Sequence, residues 1–303
     1  MNRDLSIGID IGGTAVKAGI VDNTGILHFR IKETSKLDNY DVFVKQLKSI
    51  IDNLQSKLND NITHVGLGVA GLMDKDRLTI LTAPNCGVLN NRPLPLDLSN
   101  LTGLPVEMDN DANVVAIAEG LFGAAKGSKH YIVITLGTGI GGAVVSGDKL
   151  IRGVNGGGGE LGHIPISRNG LKCGCGAKGC LEAYIGQQGI LNWISTNLIK
   201  YHGLDIKQVI ELAKNGETEA QEVFKYVGET LAIALAGLVN IFNPEIIVIG
   251  GGISAAGDFI ITPLKRELHK RAFGQYLHSL DIRIAELGNR AGIIGAAALV
   301  NGS

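Results

Sequence analysis

Three cysteines stand within eight residues, Cys173-Gly-Cys175-Gly-Ala-Lys-Gly-Cys180, and His163 lies ten residues before the first. Thiolate and imidazole are the donors of structural zinc, which takes four of them in a tetrahedron. The alternative is a set of buried free cysteines, and the intervening glycines favour a tight metal knuckle. Cys86 is left over and reads as a small apolar residue. A metal-bound His163 keeps its other ring nitrogen for a further contact. Glu182, two residues after Cys180, is aimed by the same knuckle. Glu160 follows four consecutive glycines, Gly156 to Gly159, a run that suits close approach to a ligand or a hinge. Glu160, His163 and Glu182 form a polar set suited to sugar hydroxyls, which both donate and accept.

A second chemistry is written in Gly12-Gly13-Thr14, directly after Ile9-Asp10-Ile11. Glycines let backbone N–H groups close on phosphate oxygens, Thr14 adds a hydroxyl and Lys17 a positive charge. Asp10 at a strand end suits Mg²⁺ held through water. An ordinary hairpin turn would look the same in isolation. The pattern returns at Leu136-Gly137-Thr138-Gly139-Ile140-Gly141-Gly142, which argues for duplication. Asn110-Asp111 sits between a short strand and a helix. It reads either as a helix cap, with Asp111 the candidate, or as a carboxylate facing a substrate hydroxyl. Phosphoryl transfer asks little more of its base than orientation and late acceptance of a proton.

These groups need elements to hold them. Ile7–Val21 and Ile132–Val145 read as glycine-tipped hairpins. Helices are expected at Val42–Leu58, Ala112–Ala125, Gln187–Tyr201, Ile206–Lys214, Thr218–Phe242 and Ala291–Val300. Strands are expected at His64–Ala70, Pro105–Met108, Glu245–Ile249 and Arg283–Glu286. Strands alternating with helices imply mostly parallel sheets, with ligands at the carboxyl ends of strands and in a cleft between domains. The expected division is 1–118 plus 291–303 as a smaller N-terminal α/β domain. The larger one is 119–290, carrying the zinc loop 163–180.

Composition excludes other classes. The 28 Lys and Arg against 29 Asp and Glu leave a net charge of −1, so nucleic acid is not an expected partner. With 45% hydrophobic residues the chain is not disordered. The longest helix-like apolar stretch, Leu231–Phe242, is short of a bilayer, so no membrane is expected. Met1-Asn2-Arg3-Asp4 lacks the basic and apolar regions of a signal peptide, so the expected location is cytoplasmic.

The sequences IGIDIGGTAVKAGIVD, APN, DNDAN, LGTGIGGAVV, NGGGGELGH, CGCGAKGCLE and IIVIGGGIS, in this order, resemble the ROK sugar kinases. These belong to the actin-like, ribonuclease-H-like phosphotransferases, and the resemblance covers essentially the whole chain. It implies two duplicated ribonuclease-H-like domains and ATP-dependent phosphorylation of a hexose 6-hydroxyl, glucose first. N-acetylmannosamine or N-acetylglucosamine kinase, then fructokinase, are the alternatives. A sugar-binding regulator without catalysis is the rival of a different class. ROK repressors carry an N-terminal helix-turn-helix, for which the hairpin beginning near Leu5 leaves no room. By resemblance Asp111 is the base, and Asn110, Glu160, His163 and Glu182, with Gly71 and Asn85, hold the sugar. Asp10, Gly12, Gly13, Thr14, Lys17, Gly137, Thr138 and Gly139 serve ATP phosphates and Mg²⁺, and Gly250, Gly251 and Gly252 lie under the adenosine. His163, Cys173, Cys175 and Cys180 match the zinc ligands, and a homodimer is implied. The family often has a Trp after Ala-Pro-Asn; here Leu89 precedes Asn90-Asn91.

Overall fold

The computed structural model describes residues 4–58 and 61–301. The chain forms two compact units. The first comprises the residues up to Gly127, Lys149–Gly159 and those from Glu286 on; the second comprises Ser128–Asp148 and Glu160–Ala285.

The sheet of the first unit runs in the order Leu27–Thr34, Ala15–Asp22, Leu5–Ile11, Ile62–Val69, Val106–Asn110. The first three strands are antiparallel and the last two join in parallel. Leu5–Ile11 is central, with Ile7, Ile9 and Ile11 fully buried. Gly19, Gly8 and Gly66 are paired across neighbouring strands and make a row without side chains. The small-residue helix Ala291–Ala297 lies on that row so closely that a Cβ on Gly8 would strike the Ile293 carbonyl and one on Gly66 the Ala296 carbonyl. Helix Tyr40–Gln55 covers the unit with Phe43, Leu47, Ile51 and Leu54 and is capped by Asn39, whose side chain accepts from Asp41 and Val42 N–H.

The second unit repeats the plan. Its strands run Ile140–Ser146, His130–Leu136, Ile246–Gly250, Asp281–Ile284, with an antiparallel hairpin followed by parallel partners. Helices Ile206–Lys214 and Thr218–Phe242 match the expected bounds. The latter, at 25 residues, is long and apolar enough to cross a membrane by length and composition, although the apolar run in its second half is shorter than that. Phe224, Val227, Leu231, Leu235 and Val239 are fully buried in this unit, and Asn243 ends the helix in a left-handed conformation before Pro244.

The three longest elements outside the sequence expectations are one strand and two helices. Leu27–Thr34 is an edge strand in which Leu27, Phe29 and Ile31 alternate with polar residues and none of the residues is fully buried. Helix Leu94–Thr102 follows Pro93 at its cap and takes Pro95 in the first turn, where a missing N–H costs nothing. Helix Asp258–Leu268 tolerates an interior Pro263, whose ring lies against Gly228. The expected Gln187–Tyr201 helix stops at Asn197 and resumes as a single 3₁₀ turn.

Candidate functional site

In the first unit the Gly12-Gly13-Thr14 turn joins the two central strands. Gly12 N–H donates to the Ala15 carbonyl, and the Ser35 hydroxyl donates to the Gly12 carbonyl at 2.7 Å. A Cβ on Gly13 would lie 2.8 Å from the Asn85 carbonyl oxygen, so only glycine lets Asn85 come this close. Asp10 and Lys17 are hairpin partners, and Lys17 Nζ lies 2.8 Å from Asp10 Oδ2. The Asp10 carboxyl also rests against Gly292, in the first turn of helix Ala291–Ala297.

The strand Val106–Asn110 delivers the next group. The helix starts at Asp111, and its cap is Asn110 rather than Asp111. Asn110 still has extended backbone, so its Oδ1 can turn back onto Ala112 N–H at 2.8 Å; its Nδ2 donates to the Gly71 carbonyl at 3.1 Å. Asp111 occupies the first turn, and its Oδ1 accepts from Ala112 N–H at 2.9 Å. Burial, and then the Asp111 carboxylate, push the Cys86 thiol up, in keeping with its expected role as a core residue. Leu89 is also fully buried, so this position belongs to the core and not to a pocket wall.

The second unit holds the other candidates. At the tip of the hairpin, Gly137 N–H donates to the Gly139 carbonyl, leaving Thr138 at the apex. Glu182 reaches this tip: its Oε2 accepts from Ile140 N–H at 2.8 Å, and Gln187 N–H donates to the Gly137 carbonyl. A Cβ on Gly139 would lie 2.5 Å from that Glu182 oxygen. Gly251 has φ +83°, and a Cβ there would strike the Leu136 carbonyl. Gly250 ends its strand and Gly252 opens a 3₁₀ turn.

His163, Cys173, Cys175 and Cys180 bring one ligand atom each to within 4.8 Å of all the others. Cys175 and Cys180 Sγ are 3.7 Å apart, as are Cys173 Sγ and His163 Nδ1. A zinc tetrahedron with bonds of ~2.3 Å to sulfur and ~2.0 Å to nitrogen has edges of roughly 3.5–3.8 Å. The donor set therefore fits zinc in both chemistry and size. The Ala177 N–H, then Cys173, hold the Cys175 thiol low, whereas burial pushes Cys180 up to about 12. With Nδ1 in the cluster, His163 turns Nε2 toward Glu160 Oε2 at 4.0 Å.

The comparisons with known proteins agree with this arrangement. A family model described as the ROK family matches residues 6–303. The chain belongs to the ROK family. It is 34% identical to a glucokinase of Thermotoga maritima, over 97% of this chain and 96% of that one. It is 30% identical to a xylose repressor of Caldicellulosiruptor bescii, over 99% of this chain and 79% of the repressor. Its fold matches a ROK family glucokinase from Streptomyces griseus, solved in complex with glucose and AMPPNP, with a TM-score of 0.85. That match has 32% identity and covers 97% of this chain and 98% of that one. The fold is thus the ROK α/β sugar-kinase fold, with two sheet-containing lobes and a Cys/His cluster.

Sequence reading of this ROK protein passed over Asp109 and Arg152. Asp109 is 2% exposed, and Arg152 Nη2 lies 2.7 Å from its Oδ2. Asp109 stands at the polar carboxyl end of strand Val106–Asn110, where it reads like its neighbours Asn110 and Asp111, and nothing in its spacing points to Arg152.

Proposed function

We propose that this chain is an ATP-dependent glucokinase that transfers the γ-phosphoryl group to the 6-hydroxyl of glucose. The observation that carries the catalytic reading is the placement of Asp111: it opens its helix directly at the carboxyl end of strand Val106–Asn110, where ligands of such sheets bind, with Asn110 as the cap before it. Asp111 accepts the 6-hydroxyl proton as that oxygen bonds to the γ-phosphorus. The bond from phosphorus to the β–γ bridging oxygen breaks and ADP leaves. Such a base contributes about 10²–10⁴-fold. Asn110, Glu160, His163 and Glu182, with Gly71 and Asn85, hold the sugar. Gly12, Gly13, Thr14, Lys17, Gly137, Thr138 and Gly139 address the phosphates, and Gly250 to Gly252 the adenosine. Asp10 would hold Mg²⁺ through water, and the ion would supply charge neutralisation on the phosphates. Zinc on His163 and the three cysteines would fix the histidine ring.

The choice of glucose follows the full-length similarity to the glucokinases of T. maritima and S. griseus. The repeated plan, a glycine-tipped hairpin followed by parallel strands, supports reading the two units as copies of one ribonuclease-H-like domain. Family resemblance suggests a homodimer, which light scattering tests.

A coupled ADP-release assay across glucose, mannose, fructose, allose and the two N-acetylhexosamines, with ATP and polyphosphate as donors, tests the reading. Glucose with ATP is expected to give the highest kcat/KM, and Asp111→Asn to keep glucose binding while losing turnover. Near-wild-type kcat in Asp111→Asn removes the base. The similarity to a xylose repressor favours a second reading, a sugar sensor; binding of a sugar without ADP release from any of them would establish it.

A further inference from the structure

We infer that Asp109, Arg152 and Arg77 form a buried positioning device that locks the Asn110–Asp111 turn to the glycine-rich segment 152–158; its effect on turnover rests on the kinase reading above.

Asp109 Oδ1 accepts from Asn110 N–H and from Asn113 Nδ2, both at 2.8 Å. It therefore grips the residues on either side of Asp111. Its Oδ2 accepts from Arg152 Nη2 at 2.7 Å and Nε at 3.1 Å, and Arg77 Nε stands 4.0 Å away. The Asp109 side chain is 3% exposed and that of Arg152 16%. A carboxylate so far from water is tolerable only when paired and fully hydrogen-bonded. Arg152 in turn closes its own loop, because its carbonyl accepts from Gly158 N–H at 2.8 Å. That loop has no slack. A Cβ on Gly158 would lie 2.8 Å from the Arg152 backbone, and one on Gly156, where φ is +82°, 2.9 Å from the Asp74 carbonyl.

None of these charged groups is among the residues assigned above to the transfer step, the sugar or the nucleotide. Their geometry joins two segments 43 residues apart through one carboxylate. The first segment ends in the proposed base, and the second ends two residues before Glu160. Arg152 is needed as a guanidinium, since two of its N–H groups converge on one oxygen; a lysine ammonium offers a single point of attachment.

The test compares Arg152→Met, Arg152→Lys and Asp109→Asn with the wild type. Kinetically, kcat for glucose is expected to fall about 10²-fold in Arg152→Met, with the KM for ATP unchanged, since misplacing a catalytic group by an ångström costs that much. Arg152→Lys is expected to fall between. Hydrogen exchange is the readout independent of activity. Amides of 110–113 and 153–158 are expected to exchange together about tenfold faster than in the wild type. Unchanged exchange in either segment, in a variant with wild-type circular dichroism and Tm, overturns the inference. So does wild-type kcat in that variant. If Arg152→Met does not fold, Asp109→Asn, which keeps the shape and one acceptor oxygen, is judged by the same two readouts. A wild type that releases no ADP with any sugar defeats the kinase reading alone, and the exchange result still decides the inference.

Discussion

Glu119 offers a sharp test of the energetics. It lies in helix Asp111–Phe122, fully buried, and its carboxylate accepts from three backbone N–H groups. These are Ala124 at 2.8 Å, Leu287 at 3.0 Å and Glu286 at 3.2 Å. Residues 286 and 287 are where the chain re-enters the first unit, so this one side chain ties the end of its helix to the returning segment. Glu119→Ala takes this acceptor away from all three donors. Each buried, unpaired donor costs about 1–3 kcal/mol, which gives a range of about 3–9 kcal/mol. Water entering the vacated space recovers part, so the expected loss is about 3–5 kcal/mol. Glu119→Gln keeps one acceptor oxygen but turns an NH₂ group toward an N–H donor, for an expected loss of about 1–3 kcal/mol. At about 2 °C per kcal/mol for a chain of this size, Tm should fall by about 6–10 °C in the alanine variant and about 2–6 °C in the glutamine variant. Calorimetry with urea unfolding as a second probe measures both. A Tm within about 1 °C of wild type in Glu119→Ala, or equal losses in the two variants, would refute the reasoning.

Metal removal is expected to act locally. Cys175→Ser, or dialysis against a strong chelator, should abolish zinc binding by elemental analysis and raise hydrogen exchange across 163–180; wild-type protein purified without zinc would remove the metal. Asp22 links stability to pH. Burial opposes its charge, but hydrogen bonds from Thr24, His28 and Ile26 outweigh that and bring it down to about 2 from 3.8. A depressed carboxylate stabilises above its unfolded value and loses that contribution as pH falls from about 4 to about 2. Asp22→Asn should therefore be less stable than wild type at pH 7, by about 1–2 kcal/mol, with the gap narrowing below pH 3. A gap independent of pH would show that the charge contributes nothing. Gly66→Ala drives a Cβ into the Ala296 carbonyl and should lower Tm by several degrees, whereas Gly87→Ala meets nothing within 4 Å and should be near neutral. Equal effects at the two positions would count against the packing of the last helix on the glycine row.

The parts of the fold legible in the sequence are those with local signals. The two hairpins announce themselves through glycine and threonine at the tips, and helix Ile206–Lys214 through its apolar period and the Asp205–Gln208 capping box that opens it. Edge strand Leu27–Thr34 lies outside the expectations although Leu27, Phe29 and Ile31 alternate with His28, Arg30 and Lys32, because that alternation is short and none of its residues is fully buried. The cap at residue 110 was misread because Asn and Asp cap equally well, and only the strand's last extended residue decides between them. The knuckle was legible because its ligands lie within 18 residues of chain. The pairing of Asp109 with Arg152 was not, because spacing says nothing about partners 43 residues apart.

The position of Glu182 explains why the Cys/His knuckle lies beside the Gly137–Gly139 turn. The segment 164–180 supplies few apolar side chains, and Cys173 is buried between exposed neighbours. Hydrophobic burial alone cannot order such a segment, and a four-ligand tetrahedron can. Its order is passed on at once. Cys180 leads directly into the short helix Leu181–Ile185. That helix places Glu182 on Ile140 N–H, and the residue after its cap, Gln187, donates to the Gly137 carbonyl. Two hydrogen bonds thus hold the glycine tip from the knuckle's side. A turn of three residues, two of them glycine, has high conformational entropy and gains most from such bracing. Loosening the knuckle should therefore reach the hairpin as well as His163. In the proposed kinase, Cys175→Ser raises the KM for ATP as well as the KM for glucose; a change confined to glucose would mean that the hairpin holds its shape without the brace.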